Sequence, residues 1–296
     1  MVASKTPTIA ITGATGFLGT VLVNFFLNKG WRVISLARNP GNITNKNLEF
    51  RHYDLANQLP PKTFAGVDFI IHAAYVKQAY NVNALDINVI GAENLITAIK
   101  KSAVKQTIFI SSMSAHDDAI SVYGRQKLAI EALFSNLKNS TVVRPGLIIG
   151  DGGIVKEMSN IMKSKHVVPL VDGGNQPLQI VGVDDLAIAL HQILSKSLFG
   201  HFVVATTKVY KYKDFYKSLA KYLKTPVAYV PIPYKMLEYI FKIVDLLPIK
   251  LGVGDDNLKG LKKLTSMDSA ADLKKIGITV HDLDEALEAS KITHRA

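Results

Sequence analysis

The 296-residue chain contains no cysteine. That absence excludes a disulfide scaffold, a thiolate nucleophile, a cysteine-ligated zinc site and an iron–sulfur cluster. Nowhere do about 18 uncharged apolar residues follow one another, so no segment reads as a membrane span. Met1 to Pro7 hold one lysine and no apolar run of signal-peptide length, which leads to the expectation of a cytoplasmic protein. No string joins Ser, His and Asp in a nucleophile elbow, and the eight histidines are scattered. No metal site is expected, and His72 in FIIHAA reads as a packed or hydrogen-bonded core group. Acidic residues are also scarce, 24 against 35 basic, for a formal charge of +11. What the chain does have is 48% apolar residues, enough for a large core, so disorder is excluded as the dominant state.

Through the first half, short apolar runs alternate with longer amphipathic stretches. Strands are expected near 8–12, 32–37, 48–52, 67–73, 106–111 and 140–143, with helices near 17–29, 83–101 and 121–138. Strict alternation of this kind implies βαβ units and a buried parallel sheet with helices on both faces. The fold class expected is therefore α/β, a Rossmann-type doubly wound parallel sheet with a smaller, mainly helical C-terminal substrate lobe. The segment VVPLVDGGNQP reads as a loop, between helices near 153–164 and 184–195, and a strand is expected near 201–206. The domain division expected is 1–150 plus about 182–206 for the nucleotide-binding part, and about 151–181 plus 207–296 for the lobe.

Gly13, Gly16 and Gly19 follow the first strand and open the first helix. In that setting Gly13 permits a tight turn, Gly16 lets backbone approach a pyrophosphate, and Gly19 lets helix and sheet pack closely. The helix start offers unpaired N–H groups and a positive dipole end to phosphate. The second strand ends Ala37-Arg38-Asn39, with no carboxylate to bond a ribose 2′-hydroxyl. Arg38 suits a 2′-phosphate instead, so NADP(H) is expected over NAD(H).

Tyr123 and Lys127 stand at i and i+4 of an amphipathic stretch, on one face of a helix. A phenol titrates near pH 10, and an adjacent ammonium favours its phenolate, which makes it a usable proton donor and acceptor. Ser112, just past a parallel strand, is placed to orient a carbonyl or hydroxyl.

These segments in this order resemble the short-chain dehydrogenase/reductase superfamily, extended or atypical type. TGATGFLG resembles its first loop, YDLANQ its adenine-contacting segment, and HAA at 72–74 its strand-four motif. Asn88 resembles the helix asparagine that supports the site, and SSMSA with Tyr123 and Lys127 resembles the Ser-Tyr-Lys triad. RPGLIIGDGG, VGVDDLA and DLKKIGITVHDLDEAL resemble later signatures. The resemblance implies hydride transfer, with Tyr123 as acid or base, Lys127 holding the nicotinamide ribose and lowering the phenol pKa, and Ser112 stabilising the substrate oxygen. It also implies cofactor contacts at Thr12, Gly13, Gly16, Phe17, Leu18, Gly19, Arg38, Asp54, Leu55, Ala73, Ala74, Asn88, Tyr123, Lys127 and Pro145.

Members acting on nucleotide sugars carry an asparagine and an arginine that touch the diphosphate, where this chain has Leu147 and Leu178. Leucine supplies neither donor nor cation. The leading expectation is thus an NADP(H)-dependent oxidoreductase acting on a small, relatively apolar carbonyl or alcohol. Two alternatives stand beside it, a nucleotide-sugar epimerase or dehydratase, and a non-catalytic NAD(P)-binding assembly protein resembling the complex I accessory subunit. Lys196 to Ala296 holds 17 basic and 11 acidic residues. Without a nucleic-acid-binding motif this excess implies no nucleic-acid partner. In PYKMLEYIFKIVDLLP, Leu237, Ile240, Phe241, Val244 and Leu247 form one stripe, compatible with packing on the lobe itself, a hydrophobic substrate channel, a protein partner or a membrane surface. Arg144 is a further candidate for work at the dinucleotide.

Overall fold

The computed structural model describes residues 6–60, 62–77, 86–244 and 255–292, with the side chains of 240–244 and 255 excluded. The first half reads β1 (Thr8–Thr12), α1 (Phe17–Asn28), β2 (Arg32–Ala37), β3 (Leu48–His52), β4 (Phe69–His72), α2 (Ile87–Lys100), β5 (Gln106–Ile110), α3 (Val122–Ser135) and β6 (Ser140–Pro145). There follow β7 (Leu147–Ile149), α4 (Gly153–Lys165), β8 (Val167–Val171), a short 3-10 turn at Asp172–Gly174, β9 (Pro177–Leu178), β10 (Ile180–Gly182), α5 (Val183–Ser195), β11 (Gly200–Val204) and β12 (Tyr210–Lys211). The C-terminal region holds α6 (Tyr212–Tyr222), β13 (Ala228–Ile232), α7 (Tyr234–Val244), α8 (Asp255–Lys262), α9 (Ala270–Ile276) and α10 (Leu283–Ala289).

Seven strands form one sheet in the order β11-β6-β5-β4-β1-β2-β3, and every ladder from β3 to β6 is parallel. This is a Rossmann-like α/β fold with a helical C-terminal region. The chain winds from β1 toward β3 on one side, then returns to place β4, β5 and β6 on the other. The reversal falls between β1 and β4, where open α/β sheets bind ligands beyond the carboxyl ends of their strands.

The local reasons are visible in α1. Its buried residues Gly19, Leu22, Val23, Phe26 and Leu27 recur at helical spacing, and Gly30 stops the helix with φ +79°. Burying each of the large apolar side chains contributes roughly 1.5–3 kcal/mol. α2 starts at Asp86, whose carboxylate accepts from the N–H groups of Asn88 and Val89.

The chain divides into two compact units. One comprises residues up to Ser111, Leu128–Arg144 and Leu186–Phe202; the other comprises Ser112–Lys127, Pro145–Asp185 and the chain from Val203. The first is built around a core that includes Ile34, Leu36, Ile70, Phe109, Phe134 and Val142. The second has its own core, including Ile149, Val155, Leu178, Phe215, Leu219 and Leu287.

The segment expected to be a loop at 167–177 begins instead as a strand. β8 pairs in parallel with β13, from Val167 opposite Ala228 to Val171 opposite Ile232. Its exposure alternates, with Val168 and Leu170 buried and Pro169 facing out, so proline is tolerated in a two-stranded ribbon. In α7, Tyr234 and Leu237 pack with Val171 and Leu258, whereas Met236 and Tyr239 are exposed. The stripe residues Ile240, Phe241, Val244 and Leu247 lie outside the described side chains.

Candidate active site

In the first unit the glycine-rich turn is held by backbone. Gly13 N–H donates to Leu36 O at 3.0 Å and Gly16 N–H to Gly13 O at 2.9 Å. Gly13 has φ +68°, and a Cβ there would stand 2.9 Å from the Ala74 backbone. A Cβ on Gly19 would meet Gly13 O at 2.0 Å, so this turn closes only around glycine. Gly16 is exposed at the N-cap of α1, which has no side-chain cap and no acidic residue in its first turn. The first-turn N–H groups and the positive dipole end are thereby left for an anion. These features fit a dinucleotide pyrophosphate, with Phe17, Leu18 and Gly19 supplying the first-turn backbone.

Thr12 ties the two strand ends at the reversal together. Its hydroxyl oxygen accepts from Ala73 N–H at 3.2 Å and Ala74 N–H at 3.1 Å, and lies 2.7 Å from Nδ1 of His72. With both lone pairs occupied, the hydroxyl hydrogen is free only for Nδ1, so the count assigns the His72 ring hydrogen to Nε2. His72 is buried and stacks with Phe109 and Phe134, as expected of a core histidine. Asn88 braces the chain after β4 by accepting from Val76 N–H and donating to Val76 O.

Arg38 is exposed at the end of β2, and just beyond it Gly41 and Asn42 line a small pocket with Thr15 and Ser35. Asp54 accepts from Ala56 N–H within its own turn. The Leu55 side chain is buried in the core against Gly91 of α2, which leaves only its backbone for a ligand. Arg144 is not held out for a dinucleotide. Its guanidinium makes two bonds to the Glu131 carboxylate, at 2.5 and 2.8 Å, and Ser111 donates to the same carboxylate.

The second unit brings Ser112, Tyr123 and Lys127 together. Ser112 hydrogen-bonds the Tyr123 phenol, and Lys127 Nζ lies 5.8 Å from the centroid of that ring. Lys127 is buried and Tyr123 part-buried. The expectation that the ammonium lowers the phenol pKa is not met. Burial raises it, and the opposing influence comes from the Ser112 hydrogen bond. A phenol largely removed from water loses more by ionising than the Ser112 hydrogen bond restores.

Sequence reasoning missed Asp256 of α8. Its carboxylate accepts from Val122 N–H at 2.5 Å and Tyr123 N–H at 3.1 Å. No local pattern links residues so far apart, and an aspartate in DDNLKG reads only as a helix-start residue.

The sequence profile of the NAD dependent epimerase/dehydratase family matches residues 9–205. The chain belongs to that family. Among curated proteins it is 25% identical to y4nG of Sinorhizobium fredii over 249 residues, 76% of this chain and 63% of that protein. It is 30% identical to UDP-glucose 4-epimerase of Rickettsia prowazekii over 182 residues, 55% of this chain and 52% of the epimerase. It is 31% identical to ceramide reductase of Caulobacter vibrioides over 150 residues, 49% and 47% of the two chains. The matches thus span about half to two thirds of those relatives' lengths. The crystal structure of gox2253 superposes with a TM-score of 0.76 at 21% identity, covering 96% of both chains. MoeE5, solved in complex with UDP-glucose and NAD, gives 0.73 at 19%, covering 96% of this chain and 97% of its own. At such identities these structures establish the fold alone.

Two positions noted as departures from sugar-nucleotide members can be located. Leu178 is 6% exposed in the core of the second unit, and Leu147 packs against the same core. Pro145 is buried at the end of β6, next to Gly146, whose missing Cβ leaves room for the Gln179 backbone.

Proposed function

We propose that the chain is an NADP(H)-dependent oxidoreductase that moves a hydride to or from the oxygen-bearing carbon of a small, relatively apolar substrate. The observation that carries this reading is the Ser112–Tyr123–Lys127 cluster, a phenol bonded by one hydroxyl with a buried ammonium at its ring. Bound NADPH would supply the hydride. The chain's own groups manage the proton. A carbonyl oxygen held by the Ser112 and Tyr123 hydroxyls gathers negative charge as its carbon is reduced. The Tyr123 proton then passes to it, giving the alcohol, and Lys127 with Ser112 stabilises the phenolate left behind. Burial keeps the proton on Tyr123 until that moment, which suits carbonyl reduction. In the oxidative direction Tyr123 accepts the alcohol proton.

Arg38 is proposed to select NADP(H) by pairing with the 2′-phosphate. Leu178, buried, and Leu147, part-buried against the same core, support a substrate without a nucleotide diphosphate, and one relative is a ceramide reductase. A second reading, nucleotide-sugar epimerase or dehydratase, draws more support from the names of the relatives, UDP-glucose 4-epimerase among them. The two readings share hydride abstraction or delivery at a C–OH carbon and differ in substrate.

The test follows NADPH oxidation at 340 nm with decanal as the apolar carbonyl, and UDP-galactose formation from UDP-glucose with NAD. Turnover of decanal, with Tyr123→Phe lowering kcat by about 10² or more, is the expected result. Epimerisation of UDP-glucose without decanal reduction overturns the main reading in favour of the second. NADPH binding with neither activity points to the assembly role. Arg38→Ala is expected to erase the preference for NADPH over NADH, and an unchanged preference removes that assignment.

A further inference from the structure

Asp256 joins two helix starts. It lies in the first turn of α8, and its carboxylate also receives the N–H groups of Val122 and Tyr123 in the first turn of α3. The Ser121 hydroxyl accepts from Gly124 N–H at 3.1 Å. Together they satisfy three of the four donors that the start of α3 would otherwise leave unpaired. Ser121 is a local cap of the ordinary kind. Asp256 is not local, because it reaches α3 from 133 residues away.

A separate observation supports the same docking. Gly260, one turn further along α8, would bring a Cβ to 3.8 Å from both Cβ and Oγ of Ser121. The face of α8 that carries Asp256 therefore lies against the start of α3. On its other side, Leu258 packs with Tyr234 of α7, and Lys262 Nζ sits 4.2 Å from the Tyr234 ring centroid. α8 is thus a strut between α7 and the turn that carries Tyr123. One carboxylate also serves the positive ends of two helix dipoles.

We infer that Asp256 is a positioning residue for Tyr123: it completes the cap of α3 from the C-terminal region and sets where the phenol meets Ser112. It touches the Tyr123 backbone rather than the reacting atoms. The inference rests on the proposed role of Tyr123, but its geometric part does not need turnover to be tested. Nothing in the YxxxK spacing requires such a residue, and a chain ending before α8 would keep the triad residues while losing this restraint.

The experiment compares the full-length chain with Asp256→Ala and Asp256→Glu. Amide exchange is read at Val122 and Tyr123, the phenol signal from 13Cζ-labelled tyrosine, and NADPH affinity by fluorescence titration. In Asp256→Ala the two amides are expected to exchange about tenfold faster, the Tyr123 resonance to shift, and NADPH affinity to stay within twofold. Asp256→Glu, which keeps the carboxylate, is expected to restore most of the protection. With decanal, kcat is expected to fall at least tenfold in the alanine variant. If the alanine chain does not fold, Asp256→Asn carries the test, with faster exchange at one of the two amides expected. Unchanged exchange at Val122 and Tyr123 overturns the inference, as does loss of protection spread evenly through both cores. Faster exchange and a shifted phenol in a chain whose wild type never reduces decanal would sink the proposed activity and leave the positioning role standing.

Discussion

Arg144 offers the sharpest energetic test in the molecule. Its guanidinium pairs with Glu131 at 2.5 and 2.8 Å, and Ser111 donates to the same carboxylate, linking the chain after β5, α3 and β6. The Glu131 side chain is 3% exposed, against 23% for Arg144. Arg144→Met keeps much of the side-chain volume but leaves an ionised carboxylate in the interior with one hydroxyl as partner. Breaking a buried pair in this way costs about 3–5 kcal/mol. The reverse change, Glu131→Leu, strands a cation that is partly in water, so its cost should be smaller, about 1–3 kcal/mol. Removing both charges in Glu131→Leu/Arg144→Met leaves no buried charge unpaired between these two positions, and the Ser111 hydroxyl repartners. The double variant is expected to lie closer to wild type than Arg144→Met alone. Urea unfolding of the four proteins, followed by circular dichroism, closes the cycle. The expected coupling is roughly 2–4 kcal/mol, a factor of about 30 to 1,000 in the folding equilibrium. Arg144→Met costing under about 1 kcal/mol, or costs that simply add in the double variant, would refute the claim that a buried ion pair joins these elements.

His281 bonds Asp185 through Nδ1 at 2.8 Å and through its own N–H at 2.9 Å. The Asp185 hydrogen bond raises the His281 pKa above its ordinary value, so this contribution to stability is full below about pH 6.5 and fades as pH rises through the raised value. The imidazole is 54% exposed, which keeps the effect below about 1 kcal/mol. The difference in melting temperature between wild type and His281→Ala should shrink from pH 6 to pH 8.5, and a constant difference would count against the pairing. Gly19→Ala places a Cβ 2.0 Å from Gly13 O, so the turn must open. NADPH affinity measured by fluorescence titration should fall at least tenfold, and an unchanged affinity would mean that the turn is not the pyrophosphate cradle.

Local pattern carried most of the nucleotide-binding half. β1, β2 and β3 fall at the residues that apolar runs indicate, and the buried face of α1 is the one its spacing predicts. Gly13, Gly16 and Gly19 were readable because a tight turn before a helix demands glycine at those steps. The juxtaposition of Tyr123 and Lys127 was readable because helix geometry alone puts i and i+4 on one face. The pKa direction of Tyr123 was not. It depends on how much of the surrounding chain excludes water from the phenol, and burial outweighed the Ser112 hydrogen bond.

The sequence by itself determined the strands and helices of the first half, where the glycine-rich turn lies, and that a phenol and an ammonium share one face of α3. Each of those features is decided within a few residues, by periodicity, sterics or helix spacing. Only the tertiary structure decided that Val167–Val171 is a strand, because its partner Ala228–Ile232 lies about 60 residues on. It also decided that Arg144 is consumed by Glu131 and that Asp256 caps the turn carrying Tyr123. Those outcomes depend on which distant groups arrive at one place, and a buried charge or an unpaired N–H takes its partner from there.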